Sequence, residues 1–136
     1  MITAVDSNVL LDVLGADPTF GPASGKALRT ALQEGQLIAC EVVWAEVAGS
    51  FVSAAAAQEA LKLLNMEFSP LTIEAALEAG IACKEYRARG GPKTRVTANF
   101  LIGAHALCQA DRLLSRDRGF YRSYFKRLTI MDPTAP

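Results

Sequence analysis

Short apolar runs alternate along the chain with longer segments in which apolar residues recur at helical spacing. The short runs predict strands at residues 2–5, 37–39, 112–115 and 128–131, with either a strand or a turn at 66–69. The periodic segments predict helices at 8–14, 26–34, 41–51, 53–65, 71–88 and 117–125, and one that follows Thr97. Strands that alternate with helices predict an α/β fold of three layers, with helices on both faces of a central parallel sheet.

Turn and capping residues set the expected boundaries of these elements. The segment GADPTFGPASG contains two prolines and three glycines and predicts a loop. Ser24 is expected to cap the helix at 26–34, and Gly35 to close it. The segment RGGPKTR predicts a second loop, after which Thr97 is expected to cap the next helix. That helix has apolar residues along one face, namely Phe100, Leu101, Ala104, Leu107 and Cys108.

Length and composition favour a single domain over residues 1–136, which is large enough to bury a core. No apolar run approaches the roughly 20 residues of a membrane span, and the N-terminus lacks the features of an export signal. Cys40, Cys83 and Cys108 have neither zinc-site nor redox-motif spacing. We therefore expect a cytoplasmic protein with reduced thiols, and no membrane partner.

The net charge of zero hides an asymmetry between the two halves of the chain. Residues 1–68 contain 3 Lys/Arg and 8 Asp/Glu, whereas residues 69–136 contain 11 Lys/Arg and 6 Asp/Glu. An acidic site beside a basic surface suits a cation together with a polyanion such as nucleic acid. Unevenly charged solvated faces explain the same counts equally well.

Two carboxylates follow or adjoin buried segments. Asp6 ends the first strand, where ligands gather in parallel sheets, so it is either a helix cap or a metal ligand. Ser7 and Asn8 are expected to hold Asp6 in place through hydrogen bonds. Glu46 is predicted to lie beside the apolar face of its helix, because Val43 and Val42 precede it by three and four positions. It is either a metal ligand or one partner of a buried ion pair.

Polar residues in the second half complete the candidate set. Asp117 follows the strand at 112–115 and is either a helix cap or a metal ligand, with Ser115 beside it. Asn99 lies in the first turn of its helix, where an aspartate would interact favourably with the helix dipole. His105 has no ligand partners at helical spacing and is predicted to be a hydrogen-bonded, partly buried histidine.

These residues are expected to converge at one edge of the sheet. Three or four oxygen ligands without nearby Cys or His select a hard cation, Mg²⁺ or Mn²⁺. Such a cation can polarise a phosphate and activate water, so the set predicts phosphodiester hydrolysis. A phosphatase with an aspartyl nucleophile is disfavoured, because Asn8 stands where it would need a second aspartate.

At these residues the chain resembles PIN domains, and in particular the VapC-type toxins of bacterial toxin–antitoxin pairs. The resemblance covers nearly the whole chain and rests on the segments AVDSNVLLDVL, EVVWAEV, TANFLIGAHAL and LLSRDRGFYRSYF. It implies a parallel sheet with helices on both faces and an endoribonuclease that depends on Mg²⁺ or Mn²⁺. It also implies a homodimer and inhibition by a small VapB-like antitoxin.

The resemblance assigns roles to individual residues. Asp6, Glu46 and Asp117 match the first, second and fourth acidic metal ligands, and Ser115 matches the hydroxyl residue that supports the fourth. Asn99 stands where the family has its third carboxylate, which predicts weaker metal binding and impaired catalysis. An engineered substitution that inactivates the enzyme and a naturally impaired or retuned enzyme both account for Asn99.

Two functions from different classes follow. The first is an RNA-cleaving toxin with metal ligands Asp6, Glu46, Asn99 and Asp117. Its candidate contacts with RNA phosphates are Lys93, Arg95, Arg116 and Arg118. The Ala-rich helices at 41–65 are expected to form part of the antitoxin groove, since helix docking needs small apolar surfaces. The alternative is a non-catalytic module that binds RNA or protein on a PIN scaffold.

Overall fold

The computed structural model describes residues 1–91 and 97–135. Within these ranges, the chain forms five strands and seven helices in alternating order. The elements are β1 (Ile2–Val5), α1 (Ser7–Leu14), α2 (Gly21–Glu34), β2 (Gln36–Ala39), α3 (Glu41–Ala48), α4 (Ala54–Leu63), β3 (Met66–Phe68), α5 (Ile73–Ala88), α6 (Thr97–Gln109), β4 (Arg112–Leu114), α7 (Arg118–Tyr124) and β5 (Ile130–Met131). The segment predicted as either a strand or a turn is therefore strand β3.

The five strands form one sheet in the order β3-β2-β1-β4-β5, and every neighbouring pair is parallel. The first strand lies at the centre, where Ala4 pairs with Ile38 on one side and with Leu113 on the other. Because parallel strands need crossover connections, the helices flank this sheet. The predicted α/β fold with a central parallel sheet is confirmed.

Burial on both faces of the sheet explains why the strand sequences are runs of apolar residues and not alternating apolar and polar residues. Residues 3–5 of β1 are all buried, as expected for a central strand covered on both faces. Helix α6 also enters the core, since residues 102–106 are buried in succession. The prediction of a single apolar face on this helix was incomplete, because α6 is surrounded by protein over more than one turn.

The predicted start of α2 was wrong. The helix begins at Gly21, with Phe20 at the N-cap position and proline in the first turn. Proline is tolerated there because the first-turn N–H groups have no intrahelical acceptors. Ser24 is buried inside the helix, and its hydroxyl donates to Oδ2 of Asp12 at 2.9 Å instead of capping the helix.

Side-chain caps fix the starts of two other helices. The hydroxyl of Ser53 accepts a hydrogen bond from the Ala56 amide at the start of α4. The hydroxyl of Thr72 does the same for the Ala75 amide at the start of α5. The side chain of Thr97, the predicted cap of α6, lies outside the described residues.

Two further features are the lengths of the helices and the state of the cysteines. In the described part of the protein, each helix is too short or too polar to cross a lipid bilayer. All three cysteines are free, with Cys40 buried and Cys83 and Cys108 partly exposed.

Candidate active site

The carboxylate of Asp6 lies at the carboxyl end of the central strand and begins the next helix. Asp6 is the N-cap of α1, where its Oδ1 accepts a hydrogen bond from the Ser7 amide at 2.7 Å. Only 3% of the residue is exposed. The carboxylate therefore both caps a helix and faces the edge of the sheet where ligands of parallel α/β folds bind.

The second oxygen of Asp6 accepts hydrogen bonds from two hydroxyl groups. Ser115 Oγ donates to Oδ2 at 2.8 Å, and the Tyr121 hydroxyl donates to the same atom at 2.9 Å. Both donors are fully buried, and the amide of Asn8 is a weaker third neighbour at 3.5 Å. A buried carboxylate is tolerated here because donors from α1, from α7 and from the residue that follows β4 surround it.

The acidity of Asp6 reflects a competition between burial and these donors. Burial is the largest influence and raises the pKa of the Asp6 carboxyl, while hydrogen bonds from Ser115, Tyr121 and Ser7 oppose the rise. The negative charge of Asp117 raises the pKa further. Burial and the charge of Asp6 also raise the pKa of Tyr121, so its hydroxyl stays protonated and remains a donor.

Glu46 lies on the exposed side of α3, contrary to the prediction that it borders the apolar face. Val43 and Val47 occupy the buried side of this short helix, which leaves Glu46 facing solvent. Its Oε1 accepts a hydrogen bond from Ser7 Oγ at 3.0 Å, and the same Oγ lies 3.4 Å from Oδ1 of Asp6. The hydroxyl of Ser7 thus connects the first two candidate ligands.

Asp117 occupies the N-cap position of α7, but its side chain makes no capping hydrogen bond. Its backbone amide donates to Ser115 Oγ at 3.0 Å. The same hydroxyl donates to Asp6, so Ser115 bridges the two residues. The charge of Asp117 raises the pKa values of Asp6 and Tyr121, so these groups share one electrostatic environment. Ser115 is therefore the link between the first and fourth candidate ligands.

Arg116 is built into the protein instead of facing outward as the predicted phosphate contact. Its Nε and Nη2 donate to the two carboxylate oxygens of the buried Asp12 at 2.7 and 3.1 Å. The guanidinium also lies over the Phe20 ring, 4.0 Å from its centroid. Since Arg116 Nε and Nη2 are engaged, this residue fixes the turn between β4 and α7 against α1 and α2.

The other basic residues that were predicted to contact RNA phosphates differ from Arg116 in their surroundings. Arg118 is 41% exposed and lies 3.8 Å from a carboxylate oxygen of Asp132, so it remains accessible to a polyanion. Lys93 and Arg95 lie outside the described residues.

Asn99 is half-buried in the first turn of α6. Its side chain makes no hydrogen bond to any part of the chain that the structure describes. Its contribution to the site thus stays a prediction. Further along the same helix, His105 is buried and its Nε2 lies 2.9 Å from Ser69 Oγ, which confirms the prediction of a hydrogen-bonded histidine.

The donor set fits a hard cation by its chemistry, although its members are not gathered around one point. Asp6, Glu46 and Asp117 offer only carboxylate oxygens, which Mg²⁺ and Mn²⁺ prefer. Across residues 1–91 and 97–135, however, no three His, Cys, Asp or Glu side chains lie close enough together to hold a metal ion.

Several residues of the site were not predicted from the sequence. Tyr121 donates to Asp6 from 115 positions away, and Asp12 pairs with Arg116 from 104 positions away. No spacing rule relates residues at such separations. The one available signal was a polar residue within an apolar helix, since Asp12 follows Leu10 and Leu11.

Comparison with known proteins identifies the family of this fold. The model of the PIN-domain family matches residues 3–126. The chain belongs to the PIN-domain family. No curated protein matches it in sequence.

Solved structures that resemble this PIN domain come from several bacteria. One is the crystal structure of VapBC2 from Rickettsia felis bound to a DNA fragment from the VapBC2 promoter, with a TM-score of 0.75 and 16% sequence identity. The match covers 97% of this chain and 98% of the chain in that structure. VapBC-1 from nontypeable Haemophilus influenzae has a TM-score of 0.74 at 18% identity, with coverage of 99% and 100%. FitAcB from Neisseria gonorrhoeae has a TM-score of 0.72 at 18% identity and covers 98% of each chain. At such identities the likeness concerns the fold.

Proposed function

We propose that this PIN-domain chain is the ribonuclease toxin of a toxin–antitoxin pair and hydrolyses RNA phosphodiesters with Mg²⁺ or Mn²⁺. The buried carboxylate of Asp6, held by Ser115 and Tyr121 at the carboxyl end of β1, is the observation that carries this proposal. The PIN family match over residues 3–126 supports nuclease chemistry. The similarity in fold to the VapBC and FitAcB structures supports the toxin assignment.

The proposed metal ligands are Asp6, Glu46 and Asp117, with the amide oxygen of Asn99 as the fourth donor. When bound, the cation supplies a Lewis acid that polarises a phosphate and activates water for attack on phosphorus. Ser115 and Tyr121 orient the Asp6 carboxylate and favour its ionised form. Glu46 is exposed and can move toward Asp6, whereas the neutral amide of Asn99 removes one negative charge from the pocket.

The decisive experiment compares RNA cleavage by the chain and by its Asn99→Asp variant in Mg²⁺ and in Mn²⁺. We expect the variant to cleave roughly 10- to 100-fold faster, the range typical of changes around a metal site. Asp6→Asn in the Asn99→Asp background is the matched inactive control, because it removes the central carboxylate while retaining its shape. Equal cleavage by the variant and this control would contradict the proposed site.

Metal binding gives an independent measurement. Titration of Mn²⁺ followed by calorimetry should show tighter binding to Asn99→Asp than to the chain itself, since a carboxylate attracts the cation more strongly than an amide. Affinity that is unchanged by Asn99→Asp would remove position 99 from the ligand set.

A non-catalytic module that binds RNA or protein is the second candidate, and two observations favour it. Position 99 has an amide where the resemblance implies a carboxylate, and the three remaining carboxylates are not gathered around one point. This alternative predicts that the folded Asn99→Asp variant binds RNA without cleaving it in either metal.

The proposed antitoxin site is an apolar groove between α3 and α4, with a volume of about 460 Å³. Small side chains form much of its wall, and the residues that line it include Trp44, Ala45, Ala48, Ala54, Ala57 and Phe68. The indole N–H of Trp44 is buried without a hydrogen-bond partner among the described residues. An antitoxin helix or extended segment would cover the alanines of this groove.

Ala45→Arg tests this assignment, because Ala45 is exposed and its replacement fills the groove without disturbing the core. In the Asn99→Asp background, the cognate antitoxin should inhibit RNA cleavage, and Ala45→Arg should relieve that inhibition. Val52→Arg is the control, since Val52 is fully exposed and does not line the groove. Unchanged inhibition of the Ala45→Arg protein would place the antitoxin elsewhere.

The proposed toxin acts as a homodimer.

A further inference from the structure

Asp12 is a buried carboxylate that the proposed set of metal ligands does not use. It lies on α1 with only 5% of the residue exposed. Its Oδ2 accepts hydrogen bonds from Arg116 Nε at 2.7 Å and from Ser24 Oγ at 2.9 Å, and its Oδ1 accepts one from Arg116 Nη2 at 3.1 Å. An apolar pair of similar volume often stabilises a core at least as well as a buried ion pair does. The fixed geometry of the Asp12–Arg116 pair is therefore the property to be explained.

The side chain and the backbone of Arg116 are both held by the first two helices. The guanidinium makes a bidentate contact with Asp12 on α1. It also lies over the ring of Phe20, the residue before α2, 4.0 Å from the ring centroid. The backbone amide of Arg116 donates to Asn8 Oδ1 on α1 at 3.3 Å. Since a bidentate pair fixes orientation as well as distance, the turn between β4 and α7 is anchored at Arg116.

Arg116 stands between two residues of the proposed active site. Ser115 Oγ donates to Asp6 and accepts from the Asp117 amide, so the turn lies beside the central carboxylate. The Asp117 side chain is exposed and makes no hydrogen bond to the residues that the structure describes. Its position therefore depends on its backbone, and Arg116 is the firmly held residue directly before it.

The chain that follows Asp117 is held less firmly. Helix α7 begins at Arg118 without a capping hydrogen bond from the Asp117 side chain. Arg118 Nε lies 3.8 Å from Oδ2 of Asp132, and the Arg118 side chain is 41% exposed, so this ion pair contributes little. The placement of Asp117 is thus determined mainly by the anchored residue before it.

We infer that Asp12 and Arg116 are positioning residues, whose ion pair fixes the turn 115–117 so that the Asp117 carboxylate stays beside Asp6. The inference rests on the proposed function, in which Asp6 and Asp117 are metal ligands. Replacing a group that orients a metal ligand without touching the metal commonly lowers metal affinity roughly 10- to 100-fold. Asp12 acts in this arrangement through Arg116 and not on the metal itself.

A direct contact between Arg116 and an RNA phosphate is the competing assignment. The surroundings of Arg116 oppose it, because the hydrogen bond with Asp12 raises the pKa of Arg116 and the charges of Asp17 and Asp132 raise it further. A guanidinium among three carboxylates attracts a phosphate weakly. The two assignments differ at Asp12, whose replacement would release Arg116 for RNA but would abolish a positioning pair.

Calorimetric titration of Mn²⁺ tests the inference, with the Asn99→Asp protein as the reference because it is expected to bind the cation more tightly. In this background, Arg116→Met and Asp12→Leu should each weaken Mn²⁺ binding by roughly tenfold or more. Arg112→Met is the matched control, since Arg112 lies at the opposite end of β4 and pairs with Glu34. It should leave the Mn²⁺ affinity unchanged, and circular dichroism establishes that each variant is folded.

The double variant Asp12→Leu with Arg116→Met separates positioning from stability. It removes both charges together, so neither is left without its partner, and it should unfold at a higher urea concentration than either single variant. An apolar contact lacks the two directed hydrogen bonds of the ion pair, so the Mn²⁺ affinity should stay low. Recovery of the affinity along with the stability would show that the pair only stabilises the fold and would overturn the inference.

RNA cleavage distinguishes positioning from phosphate contact. In the Asn99→Asp background, a positioning pair predicts that Arg116→Met and Asp12→Leu lower kcat by a similar factor while the KM for RNA is unchanged. A phosphate contact predicts instead that Arg116→Met raises KM and that Asp12→Leu does not. The second pattern would overturn the inference and return Arg116 to the RNA-binding surface.

The reference protein separates this inference from the proposed function. If the Asn99→Asp protein binds Mn²⁺ and cleaves RNA, and Arg116→Met and Asp12→Leu bind Mn²⁺ equally well, the proposed function stands and the positioning role fails. If the Asn99→Asp protein neither binds Mn²⁺ nor cleaves RNA, the proposed function fails and the positioning role fails with it.

Discussion

Two regions of this PIN domain reverse the usual distribution of polar and apolar residues. Around Asp6 and Asp12, carboxylates are buried in the protein. Along α5, Ile73, Leu77 and Ile81 face outward. Buried polar groups and exposed apolar ridges are the informative exceptions in a folded protein, because each is unfavourable without a partner.

The two regions differ in where their partners come from. Asp6 receives hydrogen bonds from Ser115 and Tyr121, and Asp12 receives them from Ser24 and Arg116, all within the same chain. The three aliphatic side chains of α5 have no comparable cover from the described residues. The buried carboxylates of the first region therefore have their partners within one molecule, whereas the aliphatic side chains of the second region remain exposed.

Asp12→Ala should produce the largest change, because it leaves the Arg116 guanidinium without its carboxylate partner. Breaking a buried ion pair in this way lowers the free energy of unfolding by about 3 kcal/mol, at the lower end of the usual range because the Arg116 side chain is 26% exposed. Urea denaturation measures the change. Arg118→Ala, which affects a weaker ion pair with Asp132, should lower the same quantity by less than about 1 kcal/mol. Equal effects would show that Asp12 and Arg116 are not structurally coupled.

Tyr121→Phe removes one hydroxyl donor from Asp6 and retains the buried ring. At a pH where Asp6 is ionised, we expect the free energy of unfolding to fall by about 1.5–3 kcal/mol, as for hydrogen bonds to charged groups. Tyr124→Phe is the matched control, since the Tyr124 hydroxyl has no hydrogen-bond partner among the described residues. The importance of the Tyr121 hydroxyl would be refuted if both variants unfold at the same urea concentration.

The pH dependence of stability should report the burial of Asp6. Because burial raises its pKa in the folded state, the folded protein binds this proton more tightly than the unfolded chain does. The stabilisation is complete below the unfolded-state pKa of about 3.8 and is lost as the pH rises through the raised folded-state pKa. Asp6→Asn does not ionise, so its unfolding free energy should rise relative to that of the unaltered chain across this interval. Parallel pH profiles from urea denaturation would contradict this.

Ile73→Ser should have the smallest effect on folding, although it replaces a large aliphatic side chain. Ile73 is 82% exposed, so at concentrations where the chain is monomeric the free energy of unfolding should change by less than about 0.5 kcal/mol. A large loss of monomer stability would mean that α5 depends on Ile73 for its own packing.

The sequence predicted the sheet and the position of Asp6 because both follow from local patterns. Apolar runs at 2–5 and 37–39 are buried parallel strands, and the first polar residue after the central strand is the helix cap Asp6. The start of α2 was mispredicted because Ser24, a good capping residue in isolation, has a buried partner in Asp12. Glu46 was mispredicted because helical spacing alone did not identify which side of α3 meets the core.

The sequence by itself determined the α/β fold, the family and the set of candidate carboxylates, since each is encoded in patterns within one segment. The tertiary structure decided which groups surround those carboxylates. Tyr121 reaches Asp6, Arg116 reaches Asp12, and Ser7 joins Glu46 to Asp6 only because the folded sheet brings distant segments together. It also decided that α5 presents its large aliphatic residues outward, because apolar and charged residues are distributed around this helix without a period from which its buried face could be identified.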